Sequence, residues 1–218
     1  MFTLYQKADI FTIYYIYMDY IVSGLFVYLI ILFSAVVHEF FHGWTANYLG
    51  DPTAKHLGRL TLNPIKHMDL IGTLILPLIL IVSHLPFIGW AKPVPYNPYN
   101  LRDQRFGNTK VALAGPLANM LIAIVFGLTI RFAPIGPNLF MVFSYIVVIN
   151  LYLCFFNLIP VPPLDGSKLL LDLFPRAAYS LSQLAFGGIF IALIISYAIL
   201  RPIANFFYHL IVGSSLIF

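Results

Sequence analysis

Two histidines four residues apart on a helix project from one face, where their imidazoles can share a metal ion. His38 and His42 have that spacing in the run His38-Glu39-Phe40-Phe41-His42, with Glu39 a third of a turn round. From there a carboxylate can reach a metal-bound water without ligating the metal, as a general base must. The chain has six histidines and one glutamate, and that glutamate lies between two of the histidines. The alternative is a helix whose histidines merely pair with polar neighbours. Against it, two imidazoles and a carboxylate in hydrocarbon cost on the order of several kcal/mol unless they have a purpose.

A site of this kind needs a third ligand, and Asp165 is the candidate. Pro160, Pro162 and Pro163 remove backbone donors and break the preceding helix, leaving an extended segment that presents Asp165 at its end. Asp165 could instead cap a short helix over Ser167 to Leu173. Set beside a two-histidine site, ligation is the stronger reading. The remaining histidines qualify by residue type alone: His56 and His67 read as wetted loop residues, His84 as structural, and His209 as packing or interfacial. Cys154 lies in an apolar run and reads as packing, and one cysteine excludes an internal disulfide framework.

The surrounding elements must be membrane spans. Of 218 residues, 61% are hydrophobic and 9% charged, with mean hydropathy +0.90. A soluble domain carries nearer about 25% charge. The formal charge of +4 comes from basic residues scattered without a run, which fits membrane orientation and excludes a nucleic-acid partner. No cleavable signal is convincing, because the first apolar run contains the two histidines.

The spacing of apolar runs predicts an all-α polytopic protein in one membrane domain. Residues 1–19 read as an interfacial arm or a strand, since the run Ile10 to Met18 is too short to span as a helix. A long helix follows over Tyr20 to Tyr48, and a polar loop over 49–69. Leu70 to Ala91 is broken by Pro77 and Pro86 and could cross the membrane or dip in and return. Val111 to Ile130 and Asn138 to Asn157 are clear spans. In the first, Gly115 and Ala118 permit close helix approach and Asn119 offers a buried amide, for interhelical bonding or for substrate. Two C-terminal spans are expected, over 177–200 and 203–218, so that 20–176 forms the core.

If Asp165 and the histidines hold one ion, they lie at the same depth. Both then end helices running the same way, which allows one net crossing between them and requires Leu70 to Tyr96 to enter and return on one side. Charge supports this. The re-entrant reading places Lys55, Arg59, Lys66, Lys92, Arg102, Arg105, Lys110, Lys168 and Arg176 on the site's side, against Lys7, Arg131 and Arg201 on the other. Such a bias puts the site near the cytoplasmic face, with the N-terminus outside and the C-terminus inside.

These residues resemble the site-2 proteases, the zinc intramembrane metalloproteases of peptidase family M50. The likeness rests on His38-Glu39-Phe40-Phe41-His42, on Gly115-Pro116-Leu117-Ala118-Asn119, and on Asn157 through Leu164-Asp165-Gly166, and covers about residues 20–176. It implies a three-helix catalytic core, one zinc ion held by His38, His42 and Asp165, and Glu39 as the base. It also implies a substrate-pairing segment around Trp90, Pro93, Val94 and Tyr96, with Asn157 on the substrate side. No stretch suggests a PDZ or CBS module. The expected chemistry is hydrolysis of a transmembrane protein substrate by a zinc-activated water, with Asn119 as a donor to the peptide or oxyanion. The expected setting is the lipid bilayer of a prokaryotic plasma membrane. The rival readings are a membrane metal-ion transporter or metal-binding protein using the same ligands, and an inert scaffold for membrane helices.

Overall fold

The fold is described from a computed structural model, which describes residues 10–85, 89–174 and 187–214. Among the described residues seven helices carry it: α1 (Ile10–Tyr48), α2 (Thr53–His56), α3 (Leu70–Val82), α4 (Gly107–Phe132), α5 (Pro137–Asn157), α6 (Asp165–Leu173) and α7 (Gly187–Val212). Four of these are long and apolar enough to cross a membrane, α1 through its Tyr20–Tyr48 portion, then α4, α5 and α7. No strand occurs among the described residues. The protein is an all-α polytopic membrane protein.

Polar pairs fix the helix directions. Toward the C-terminal end of α1, Ser34 and then His42 meet Asn119 and then the Val111 carbonyl of α4, so α1 and α4 are antiparallel. Asn150 of α5 bonds Ser34, and Asn157 borders the cleft beside His38, so α5 runs with α1. A single crossing, α4, therefore lies between α1, which carries the two histidines, and α5, which leads to Asp165, as the parity argument requires.

The same argument requires the segment after residue 70 to return, and it does. Asp69 caps α3 by accepting from Ile71 and Gly72. The helix then climbs beside α1, with Tyr28 donating to the Thr73 carbonyl at 2.7 Å and Ile81 packed on Gly24. At its top the chain turns through His84, whose φ is +55° and whose ring lies 4.1 Å from that of Tyr20. By Trp90 it is back beside Gly72, where the Trp90 amide donates to the Gly72 carbonyl, and the Lys92 amide reaches His67 at 2.9 Å. From Gly89 to Asn97 the chain is neither helix nor turn.

Two expectations give way. Residues 10–18 continue α1 as helix and form no strand. Extending an existing helix adds one hydrogen bond per residue fixed, so a run too short to stand alone is carried by its neighbour. The two C-terminal spans divided at Arg201-Pro202 are, over the described residues, one helix through both; residues 177–186 lie outside those described. Proline removes one donor, which apolar spans tolerate. The end of α7 therefore lies on the side opposite the site, where Arg131 Nη1 donates to the Leu210 carbonyl, and the expected inside C-terminus does not follow. Arg201, counted above as a far-side charge, lies within the helix.

The core sits between α4, α5 and α7, around Ala123, Val147, Leu151, Ala204 and Tyr208. Small residues let these helices approach closely, the main source of association where lipid is as apolar as leucine. Ser144 and Tyr208 add a buried hydrogen bond of 2.9 Å. Such bonds contribute about 0.6 kcal/mol.

Candidate metal centre

His38 and His42 leave α1 on one face, their rings 4.6 Å apart and nearly perpendicular, and both are buried. Each imidazole is oriented from behind. His42 Nδ1 lies 2.7 Å from the Val111 carbonyl, which can only accept, so Nδ1 carries the proton. His38 Nδ1 lies 2.6 Å from Asn119 Oδ1. The Asn119 amide nitrogen donates to Asn150 Oδ1 at 2.8 Å and to the Ser34 carbonyl, so its oxygen accepts from His38. Asn150 in turn donates to Ser34 Oγ. With both Nδ1 protons committed, both Nε2 lone pairs point the same way. Metal-binding histidines have this arrangement, their second nitrogen donating to a carbonyl or carboxylate.

Asp165 completes the cluster. Its Oδ2 lies 3.1 Å from His38 Nε2 and 3.0 Å from His42 Nε2, while the two Nε2 atoms are 2.9 Å apart. All three donor atoms fall within 4.8 Å of one another. Three lone-pair atoms at these separations repel unless a cation sits among them. The other carboxylate oxygen, Oδ1, accepts from Lys168 Nζ at 2.9 Å. Asp165 begins α6 but makes no capping bond to it, so the capping alternative is not realised.

Two glycines make the cluster possible. A Cβ at Gly115 would lie 2.5 Å from His42 Nε2 and 2.6 Å from His38 Nε2, so its absence leaves room beside both ligand atoms. A Cβ at Gly166 would lie 2.3 and 2.5 Å from the Leu158 and Ile159 carbonyl oxygens. Only glycine lets α6 start against that turn and deliver Asp165 to the histidines. Donor set, room and lone-pair convergence all fit a metal ion; two imidazoles with one carboxylate suit zinc.

Glu39 stands beside the histidine pair, its Oε2 accepting from the Val94 amide at 2.7 Å. It borders two spaces. One is a cleft of about 260 Å³ between α1, α3 and α5, bounded by His38, Trp90, Phe156 and Asn157. The other, of about 130 Å³, adjoins His42, Pro93, Val94, Tyr96, Asp165 and Lys168. Trp90, Pro93, Val94, Tyr96 and Asn157 thus all border the site.

Asn119 does not meet its expected role. It is fully buried and its amide is spent on His38, Ser34 and Asn150, leaving no donor for a peptide or oxyanion. It is placed to orient a ligand. His56, His84 and His209 take no part in the cluster. His67 is buried, against the expectation of a wetted loop residue, with Nε2 on the Thr61 carbonyl. Sequence reasoning missed Ser34, Asn150 and Lys168. Asn150 carried a usable signal, since a lone amide in an apolar span needs a partner as much as Asn119 does.

The chain is similar to known proteins across this site. The model of peptidase family M50 matches residues 131–200, which include Asp165. YwhC of Bacillus subtilis, assigned by name to the zinc metalloproteases, is 38% identical over 164 residues, covering 70% of this chain and 71% of that protein. The chain belongs to peptidase family M50. This M50 peptidase is a metalloprotease of the site-2 protease type, with the helices of a membrane protein. Rip2 of Mycolicibacterium smegmatis, also a zinc metalloprotease by name, is 32% identical over 148 residues, 66% of this chain and 56% of Rip2. MJ0611 of Methanocaldococcus jannaschii, so named as well, is 43% identical over 63 residues, 29% of this chain and 33% of that protein. No solved structure matches.

Proposed function

We propose that this M50 peptidase is a zinc-dependent intramembrane endopeptidase that hydrolyses peptide bonds within transmembrane segments. The convergence of His38 Nε2, His42 Nε2 and Asp165 Oδ2 within 4.8 Å carries the reading. These atoms would hold one zinc ion, which when bound supplies Lewis acidity to activate water and polarise a scissile carbonyl. Asn119 and the Val111 carbonyl keep the two imidazoles in the tautomer that presents Nε2. Lys168 occupies Asp165 Oδ1 and so leaves one oxygen for the ion.

Glu39 is the proton carrier. Its carboxylate takes a proton from the attacking water and returns it to the leaving amine, a role within reach because it borders the site without joining the ligand set. In this structure the Val94 amide holds that carboxylate. The segment from Gly89 to Asn97 lies along the cleft and is the surface against which an unwound substrate would be placed. Pro93 and Pro95 have no amide hydrogen and the Val94 amide is taken by Glu39, so pairing by this segment relies mainly on its carbonyls. A substrate helix must unwind first, because its carbonyls are already bonded.

The scatter of basic residues favours placing the site toward the cytoplasmic face of a prokaryotic plasma membrane. The rival transporter reading needs polar ligands handed across several helices. Here Ser34, His38, Asn119 and Asn150 of α1, α4 and α5 are bonded to each other in one network. The test is cleavage of a synthetic single-span substrate in proteoliposomes by the natural chain and by Glu39→Gln. Cleavage by the first and loss in the second, with metal retained, supports the protease; no cleavage by either overturns it.

A further inference from the structure

The third ligand rides on a helix too short to hold its own place. α6 has nine residues, fewer than the roughly 12–15 below which an isolated helix is marginal in water. Its position is set by what it packs on, which among the described helices is chiefly α4. Its start sits against the Leu158 and Ile159 carbonyls through Gly166. Its far end is held by Asp172, whose Oδ2 accepts from the Thr109 amide at 2.9 Å and from Thr109 Oγ1 at 2.8 Å.

Asp172 is badly placed for the helix that carries it. It lies in the last turn of α6, where the helix dipole disfavours an acid, and that turn has no basic residue to balance it. Beside the first turn of α4 the same effect favours it. The start of α4 already has an acid of its own, since Asp103 accepts from the Arg105 and Phe106 amides and pairs with Lys110. What Asp172 adds is a joint between two helices.

That joint lies in the frame of the metal centre. Asp165 and Asp172 are seven residues apart, two turns, so both project from one face of α6. On α4, Thr109 lies two residues before Val111, whose carbonyl fixes His42. Its neighbour Asn108 accepts from the Tyr96 hydroxyl at 3.4 Å, and the Lys168 ammonium lies 5.6 Å from the centre of the Tyr96 ring. The start of α4 thus meets α6, the irregular segment and a ligand histidine together.

We infer that Asp172 is a positioning residue for Asp165: its bonds to Thr109 fix the roll of α6 against α4 and so set where the third ligand atom stands. The tolerance is small. Side chains reach roughly 5–6 Å from a helix axis, so a roll of about 10° carries a ligand atom roughly 1 Å. Metal–ligand distances are held to within about 0.2 Å. The inference rests on the metal-centre reading above, and its test reads the metal rather than turnover.

The experiment uses the full chain in detergent, stripped of metal and titrated with cobalt(II), whose visible absorption reports ligand number and geometry. Chelator competition gives the affinity. Asp172→Ala should lower that affinity about tenfold, the low end for losing a group that orients a ligand, and should weaken the absorption of the bound ion. Asp172→Asn keeps an acceptor oxygen and should retain most of both. Thr109→Val keeps the amide and loses the hydroxyl, so its loss should be smaller, about threefold. Added to Asp172→Ala it should change little, because both remove one contact. Thermal unfolding of the metal-free variants measures the support given to α4 separately. Lower unfolding temperatures with affinity and cobalt spectrum unchanged would make Asp172 a cap for α4 and overturn the inference. Should Asp172→Ala not fold, Thr109→Val decides by the same two readouts. A natural chain that binds no cobalt would count against the metal centre and take this inference with it, whereas equal binding by all variants counts against Asp172 alone.

Discussion

The two flanks of the centre are built differently. On the ligand flank, His38 and His42 are oriented by helix atoms alone: Asn119 and the Val111 carbonyl from α4, with Ser34 and Asn150 bonded behind. All of these side chains are buried and paired. On the base flank, Glu39 is held by one backbone amide, Val94, from a segment with no helix. That segment is tied down at intervals, by Arg59 on the Lys92 carbonyl and by Asp51 on Asn97 and Asn100. Preorganised ligands and a tethered but irregular base flank divide the work. Damage to the first should appear in metal binding, and damage to the second in turnover.

The sharpest break in that comparison is Gly115→Ala. Alanine favours helix by about 1 kcal/mol over glycine, so α4 should form as well or better. Its methyl group would occupy the space beside both Nε2 atoms. Metal content of the purified variant should fall below detection while its helical circular dichroism stays at the natural level.

Asn119→Ala comes next. It frees His38 Nδ1 and leaves Asn150 Oδ1 without its donor. Metal affinity, measured by chelator competition, should drop about 10- to 100-fold, the usual effect of losing such an orienting partner. Val94→Pro tests the other flank by deleting the amide that holds Glu39. Its kcat should fall about tenfold, part of what a positioned base contributes, with metal content unchanged. If Val94→Pro lost metal, or Asn119→Ala lost turnover alone, the division between flanks would be wrong.

The smallest effect concerns the tether. Burial disfavours the charge on Asp51, yet the donors from Thr53, Asn100 and Asn97 outweigh it and hold the carboxyl below the ordinary carboxylate value. A carboxyl depressed in the fold contributes fully above its unfolded value near about pH 4, and the contribution is lost as pH falls through the lower folded value. Thermal unfolding in detergent should therefore weaken from pH 5 toward about pH 3 in the natural chain. Asp51→Asn should be less stable near neutrality, by about 1–3 kcal/mol, and should lose most of that acid dependence.

The features that sequence made legible share a cause: each is dictated by local spacing or by the cost of polar groups in hydrocarbon. The i, i+4 histidines and the proline-broken approach to Asp165 were of this kind, and the return of the chain over Leu70 to Tyr96 followed from requiring them at one depth. What escaped depends on tertiary placement. Nothing local says that the Asn119 amide is consumed by Ser34 and Asn150, nor that Lys168 would take one oxygen of Asp165. The helix through Pro202 escaped for a related reason, because a proline reads as a stop whenever the neighbours that compensate it are not in view.

The central claim, one metal ion held by two segments far apart in sequence, is tested most directly by metal analysis of purified protein. The natural chain, Glu39→Gln, and His38→Ala, His42→Ala and Asp165→Ala singly should be compared. One zinc per chain in the first two and loss in the other three is the result this account predicts. Zinc retained after all three alanine substitutions, or none in the natural chain, would contradict it.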